Sequence, residues 1–317
     1  MPVNDRLVVV GSVALDSLET PFGRREEVLG GSASYISVAA SFFVSPRVVA
    51  VVGEDFPAAH LEFLASRGAD LTGVVRQPGR TFRWKGRYEF DLNVAHTLDT
   101  QLNVFALFRP ELPEAYRDSE YVFLGNIDPD LQRSVLDQVR SPRFVGCDTM
   151  NYWITSRRDS LLRTLKRVDM LFVNDAEVRQ LAGEHNVVKA AAAVLTMGPR
   201  ALVVKRGEYG ALFFSGGEVF AASAVPLAAV FDPTGAGDTF AGGFMGYLAR
   251  SGRLDHAAMR RAIVVGTVLA SFTVEQFSLD RLRTLRPDEI RARYAEVRRL
   301  AHFEDLEPEV LSGPTGR

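Results

Sequence analysis

Cysteine is almost missing from this chain: Cys147 is the single example in 317 residues. That excludes an internal disulfide and a thiolate-ligated zinc cluster, and it fits a reducing compartment such as the cytoplasm. Five scattered histidines give no ligand pair at helical spacing. An excess of either charge is missing too. Lys and Arg number 37 against 39 Asp and Glu, and the formal charge of −2 makes no electrostatic case for nucleic acid. The longest apolar run, 262–274, is too short to span a bilayer. The N-terminus lacks the basic start and apolar stretch of a secretory signal. No G-x-x-x-x-G-K-[ST], no G-x-G-x-x-G after a strand and no G-x-S-x-G elbow occurs, which removes the P-loop, dinucleotide and serine-hydrolase readings. Internal repeats, low-complexity blocks and interdomain linkers are absent as well.

What is present is ordinary for a globular core, with 47% apolar and 24% charged residues. Residues 7–10 form a β-branched run ending at Gly11, as in a buried parallel strand. A small-residue helix is expected over 32–40, a strand over 47–52 and a helix over 57–67. This alternation predicts an α/β fold: a mostly parallel central sheet between two layers of helices. Residues 72–108 interrupt it. The stretch 81–90 alternates apolar and charged residues, and 98–108 reads as a further strand, so either a small separate sheet or a decorative hairpin is expected there. The rhythm then resumes with strands over 121–124, 143–147, 170–173 and 201–204 and helices between them. Two short strands follow at 211–214 and 219–221. Helices close the chain over 238–250, 256–274 and 287–302, before a tail from about 305 to 317.

The stretch most charged with chemistry is Asp232-Pro233-Thr234-Gly235-Ala236-Gly237-Asp238. It follows a breaker-rich segment and precedes an apolar run, the context of a helix N-terminus. Free N–H groups there, backed by the helix dipole, form an anion site. A carboxylate inside an anion-binding loop repels the ligand the loop attracts. Asp238 therefore needs a function, and taking a proton from a hydroxyl beside a phosphate would supply one. A plain helix cap with a glycine turn is the competing reading.

These seven positions resemble the C-terminal signature of the ribokinase-like (PfkB) family of carbohydrate and nucleoside kinases, D-T-x-G-A-G-D, with Pro233 as the one departure. The resemblance extends from Gly11 to about Phe277. It implies a ribokinase-like fold in a single domain, 1–304, with a β-sheet lid contributed by about 14–29 and 72–108. It further implies that Asp238 is the catalytic base and that the amides of Gly235, Ala236 and Gly237 form the anion hole. Asn174 and Glu177 resemble the N-x-x-E motif linked to magnesium and phosphate, although Asn and Glu are also common at a helix start. Lys205 stands where the family often has Thr, ahead of Gly207 and Gly210. It meets nucleotide phosphate or lies solvated in a hairpin turn. Thr234 joins the nucleotide side.

On the acceptor side the resemblance points to Asp16, Gly30 and Gly31. Tyr35 replaces a usual Asn, which puts a ribose- or fructose-like acceptor in doubt and leaves inositol or a nucleoside open; it is either a wall of the pocket, the reading preferred, or a buried helix residue. Asp148 and Asn151 follow a strand and either line the pocket or make a turn. Asp232 occupies the place near a monovalent cation. The expectation is an ATP-dependent, magnesium-using kinase of a sugar, polyol or nucleoside, with K+ as a further cofactor, no nucleic-acid or membrane partner, and a lid that can pair two copies. A ligand sensor on the same fold is the rival from another class.

Overall fold

Side-chain alternation along the strands sorts this core into two faces. In the computed structural model, which describes residues 6–307 and 310, the strands are β1 (Leu7–Val10), β2 (Ala14–Thr20), β3 (Gly23–Gly30), β4 (Arg47–Gly53), β5 (Asp70–Gln77), β6 (Arg83–Tyr88) and β7 (Ala95–Gln101) in the first third of the chain. They continue with β8 (Tyr121–Leu124), β9 (Phe144–Asp148), β10 (Met170–Asn174), β11 (Ala201–Lys205), β12 (Ala211–Ser215) and β13 (Glu218–Ala222). Nine of them form one sheet in the order β13-β12-β11-β10-β9-β8-β1-β4-β5. It is parallel from β11 through to β5, and antiparallel only at the β12–β13 end. Leu7, Val9, Tyr121, Phe123, Met170 and Phe172 point into one apolar cluster with the helices Ser32–Ala40, Ala236–Ser251 and His256–Thr273. Val8, Val10, Val122, Leu124, Leu171 and Val173 point into the other, under the helices Pro129–Leu136, Arg158–Leu165, Asp175–Ala182 and Val187–Leu195. Burial on both faces explains why these strands are unbroken apolar runs.

The small-residue helix Ser32–Ala40 lies directly on Ala236–Ser251. A methyl group on Gly242 would come within 2.3 Å of the Ile36 carbonyl oxygen. That close approach is what residues 32–40 are small for, and it fixes the helix that begins at the signature loop.

The second sheet has the order β3-β2-β6-β7, with β2 parallel to β6 and hairpins on each side. It differs from the sequence reading in two ways. Residues 72–77, expected outside the main sheet, belong to β5, which pairs with β4 inside it. The strand expected over 98–108 is β7, ending at Gln101, followed by a 3₁₀ turn Asn103–Leu107. Val104 and Phe108 are buried there while Leu107 is exposed. The apolar content of 98–108 thus comes from a turn packed under the sheet, where residue type alone does not separate strand from turn. At the C-terminus, 302–307 carry no helix or strand, and Pro308, Gly313 and Pro314 lie outside the described residues.

Candidate active site

Parallel strands bring their carboxyl ends to one edge, where ligands of open α/β sheets collect. Asp148 ends β9, Asn174 ends β10 and Lys205 ends β11, with Asn174 and Lys205 in register. The N-terminus of the helix Ala236–Ser251 meets this edge: a methyl group on Gly237 would lie 3.0 Å from Lys205 Nζ.

The loop that delivers this helix is pinned from below. Asp232 is fully buried, its Oδ1 accepting from the Thr234 N–H at 2.9 Å and its Oδ2 from the Ser278 N–H at 2.9 Å. Gly235 then takes a left-handed conformation, φ 74°, directly over the Tyr35 ring. A methyl group there would fall 2.3 Å from Tyr35 Cε1, so both the dihedral and the contact require glycine. The Ala236 N–H donates to the Pro233 carbonyl at 3.1 Å, so it is spent inside the loop. Two of the three signature amides remain. The N–H groups of Gly235 and Gly237 have no partner among the described residues. Asp238, in the first helical turn, is half-buried, and its carboxylate has no hydrogen-bond partner among the described residues. Burial pushes its pKa up to about 7; the Asp148 charge adds to this and Lys205 works against it.

Lys205 is not the solvated lysine of a hairpin turn. Nζ donates to Asp148 Oδ2 at 3.0 Å, and both side chains are largely buried. Burial disfavours its charge, but Asp148, Glu177 and Asp238 outweigh that and hold it above the usual lysine range. Asp148 Oδ1 accepts from the Thr149 N–H at 2.7 Å, so both carboxylate oxygens of this residue, expected either to line the acceptor pocket or to make a turn, already have a protein partner. Asn174 and Glu177 form a reciprocal capping box: Asn174 Oδ1 accepts from the Glu177 N–H and Glu177 Oε2 from the Asn174 N–H, each at 2.7 Å. The capping box leaves Glu177 Oε1 outside these two bonds. Burial raises the Glu177 pKa to about 7, with Lys205 pulling it down and Asp148 pushing it further up.

Asp16 projects from β2 and is 5% exposed. Its carboxylate fills the space that a side chain at Gly30 would need, 2.0 Å from the position of a Cβ there. Burial drives its pKa up to about 7; the Gly31 N–H pulls it down, while Asp232 and Asp238 push it up. Gly31, φ 87°, caps the helix Ser32–Ala40. Tyr35 lies in the first turn of the helix after Gly31, where either a wall of the acceptor pocket or a buried helix residue is expected. It is 1% exposed, its ring packed under Gly235 and its hydroxyl without a partner, so it is a buried support of the loop and not an exposed pocket wall. Helical spacing placed Tyr35 near the site but could not tell a wall from a floor.

A model of the "pfkB family carbohydrate kinase" matches residues 5–283. The chain belongs to this family. A cytidine kinase of Thermococcus kodakarensis is 32% identical over 254 residues, covering 78% of this chain and 90% of that protein. A nucleoside kinase of Methanothermobacter thermautotrophicus is 25% identical over 293 residues, 85% and 89% of the two chains. The solved nucleoside kinase of Methanocaldococcus jannaschii, an archaeal member of the ribokinase family, superposes with a TM-score of 0.74 at 18% identity over 92% of this chain and 98% of its own. The PfkB kinase described here is accordingly an ATP-dependent phosphotransferase with a small sugar or nucleoside acceptor.

Sequence reasoning missed the parts of this kinase that the small sheet contributes. Tyr88 of β6 accepts a hydrogen bond from the Thr234 hydroxyl at 3.2 Å and so closes on the signature loop. A methyl group on Gly207 would approach Asn93, between β6 and β7, to 3.0 Å, so the same hairpin reaches the loop after β11. Trp84 pairs in register with Asp16 and shares its face, its ring lying across Gly86. The alternation in 81–90 was the available signal, but it named the strand and not the face. Among the described residues no group of three or more His, Cys, Asp and Glu side chains forms a metal cage. The carboxylates around Lys205 instead suit Mg2+, which keeps its waters and takes one or two carboxylates beside substrate phosphates. No helix among the described residues is long and apolar enough to cross a membrane.

Proposed function

We propose that this kinase moves the γ-phosphoryl group of ATP to a hydroxyl of a nucleoside, with Asp238 as general base. The observation that carries this is an unpaired carboxylate, held near neutrality, beside two unpaired amides at a helix N-terminus. Asp238 accepts the proton of the attacking hydroxyl. The N–H groups of Gly235 and Gly237 meet the charge on the transferring phosphoryl oxygens, and their orientation is fixed beforehand by Tyr35 and Asp232. Lys205, held by Asp148, adds a positive charge at the donor phosphates, and Gly207 and Thr234 border them. Glu177 Oε1 and Asn174 would face Mg2+ through water, and the ion would neutralise donor phosphate charge.

Asp16, between Gly30 and the Trp84 face, would orient the ribose by accepting from its hydroxyls, while the flat indole suits a base. The cytidine and nucleoside kinase relatives support this acceptor class over inositol. Asp232 would stand beside K+, the kinase would work in the cytoplasm, and β7, exposed along its length, would offer the lid edge to a second copy. The deciding assay is ADP formation from ATP with cytidine, other nucleosides, ribose and inositols supplied one at a time. Turnover that depends on a nucleoside is expected. Binding without turnover would make the protein a sensor, and a preference for inositol would remove the nucleoside reading.

A further inference from the structure

The carboxylate proposed to hold the acceptor sits beside an irregularity in its own hairpin. Pairing of β2 with β3 runs Asp16 to Val28 and then Leu18 to Arg25, so Glu26 and Glu27 together oppose Ser17 alone. This is a β-bulge, a feature that re-aims neighbouring side chains and is frequent next to active sites. Its bulged residue, Glu27, has φ 49°, a conformation unfavourable for a residue with a Cβ. The Glu27 N–H donates to Ser17 Oγ at 3.3 Å, a long bond that does little to hold it.

The Glu27 side chain has a firmer partner. Its Oε1 accepts from Arg83 Nε at 2.8 Å. Arg83 lies on β6 and spends the rest of its guanidinium on the large sheet's side of the molecule: NH2 meets Asp55 Oδ2 at 2.8 Å and NH1 donates to the Thr81 carbonyl at 3.1 Å. Asp55, in the loop after β4, is itself fixed, its Oδ1 accepting from both the N–H and the hydroxyl of Thr81 at 2.7 Å. Here the chain leaving the large sheet crosses the chain entering the small one so closely that a methyl group on Gly53 would fall 2.3 Å from the Gly79 carbonyl oxygen. One guanidinium therefore ties the crossing of the two sheets to the bulge next to Asp16.

We infer that Arg83, through Asp55 on one side and Glu27 on the other, is a positioning residue that sets the aim of Asp16 toward the acceptor. It touches no reacting atom and acts by holding the bulge. The inference rests on the proposed role of Asp16. A purely stabilising role for the pair is a poor match to its setting. Glu27 is exposed and lines an open groove of about 260 Å³ with Ser17, Lys85 and Asp99, so water screens the ion pair and leaves it little weight in stability.

The experiment uses the full chain, ATP and cytidine, with Glu27→Ala, Arg83→Met, the double variant, and Asp16→Asn as reference. Glu27→Ala is expected to raise the acceptor KM by about tenfold, since small misplacements of a binding group are costly, while the ATP KM and the melting temperature stay near the parent values. In the Arg83→Met background, Glu27→Ala should add less than about twofold, because both changes cut the same link. Amide exchange in 14–18 should quicken in Glu27→Ala while β10 stays protected, a readout that needs no turnover. Unchanged exchange, an unchanged acceptor KM, or full additivity of the two changes would each overturn the inference. If Asp16→Asn raises the acceptor KM and Glu27→Ala does not, the link fails and the acceptor reading stands. If Asp16→Asn leaves it unchanged, the acceptor reading fails and takes the link with it.

Discussion

Replacing Asp238 by Asn should move activity and stability in opposite directions. A general base contributes ~10²–10⁴ in rate, so kcat should fall by that factor with much smaller changes in either KM. Stability follows from the raised pKa. The folded state holds a proton on Asp238 up to a pKa of about 7, whereas an unfolded Asp, with a pKa of roughly 3.9, has lost it by pH 5. Between these values the unfolded chain binds fewer protons, so stability declines as pH rises through the window and stays lower above it. The full shift would correspond to roughly 4 kcal/mol. Asp238 is only half-buried, and water screening brings the figure to on the order of 1–2 kcal/mol. Asn, which carries no charge, should therefore raise the melting temperature at pH 8 by about 2–6 °C, and should change it little at pH 4. The parent enzyme should show a kcat/KM that rises with pH through about 7 and levels off above it. Single-turnover rates and thermal unfolding across pH test both halves. A variant that keeps normal kcat, or that is less stable than the parent at pH 8, refutes the assignment.

Glu177→Gln should raise the magnesium concentration needed for half-maximal rate, read from a Mg2+ titration; an unmoved curve would leave Glu177 as a capping residue alone. Potassium should stimulate turnover over sodium through Asp232, and equal rates in the two salts would remove the cation while leaving Asp238 untouched. Tyr35→Asn should lower stability by about 3–5 kcal/mol in denaturant titration, because it empties the space under Gly235 and buries an amide. Tyr35→Phe, which removes an unpartnered hydroxyl, should be near neutral, and a changed acceptor ranking in a stable Tyr35→Asn would restore the pocket-wall reading.

The large sheet was legible because burial on both faces leaves a continuous run of apolar residues, as in Leu7–Val10 and Met170–Val173, that few other elements produce. The signature loop was legible as a helix start because its glycines follow a breaker-rich segment and precede an apolar run, and the helix begins at Ala236. Contacts between the two sheets were not. Nothing in the spacing of Tyr88 and Thr234, 146 positions apart, announces that their hydroxyls meet. The residue at Tyr35 was read for its chemistry, an OH and a flat face, when its location decided its role. Burial under Gly235 is set by how the helices Ser32–Ala40 and Ala236–Ser251 pack, a property of both together. Likewise the loss of the Ala236 amide to the Pro233 carbonyl is a turn geometry that the letters Gly-Ala-Gly do not specify.

The electrostatics of the site make sense only when the ligands are counted as part of it. Asp16, Glu177 and Asp238 are each pushed up to about 7, chiefly by burial. Lys205 is the positive charge that couples to Glu177 and Asp238, and Asp148 already holds its ammonium. A site this short of positive charge favours the protonated carboxyl, which cannot act as a base. A divalent cation arriving with the donor would supply the missing charge and favour the ionised form. The same burial that lowers stability in the empty kinase thus leaves a share of Asp238 protonated, and so unable to accept, until the donor side is filled. With Asp238 as the proposed base, proton removal from the acceptor would become more favourable once a phosphoryl group is there to receive the oxygen.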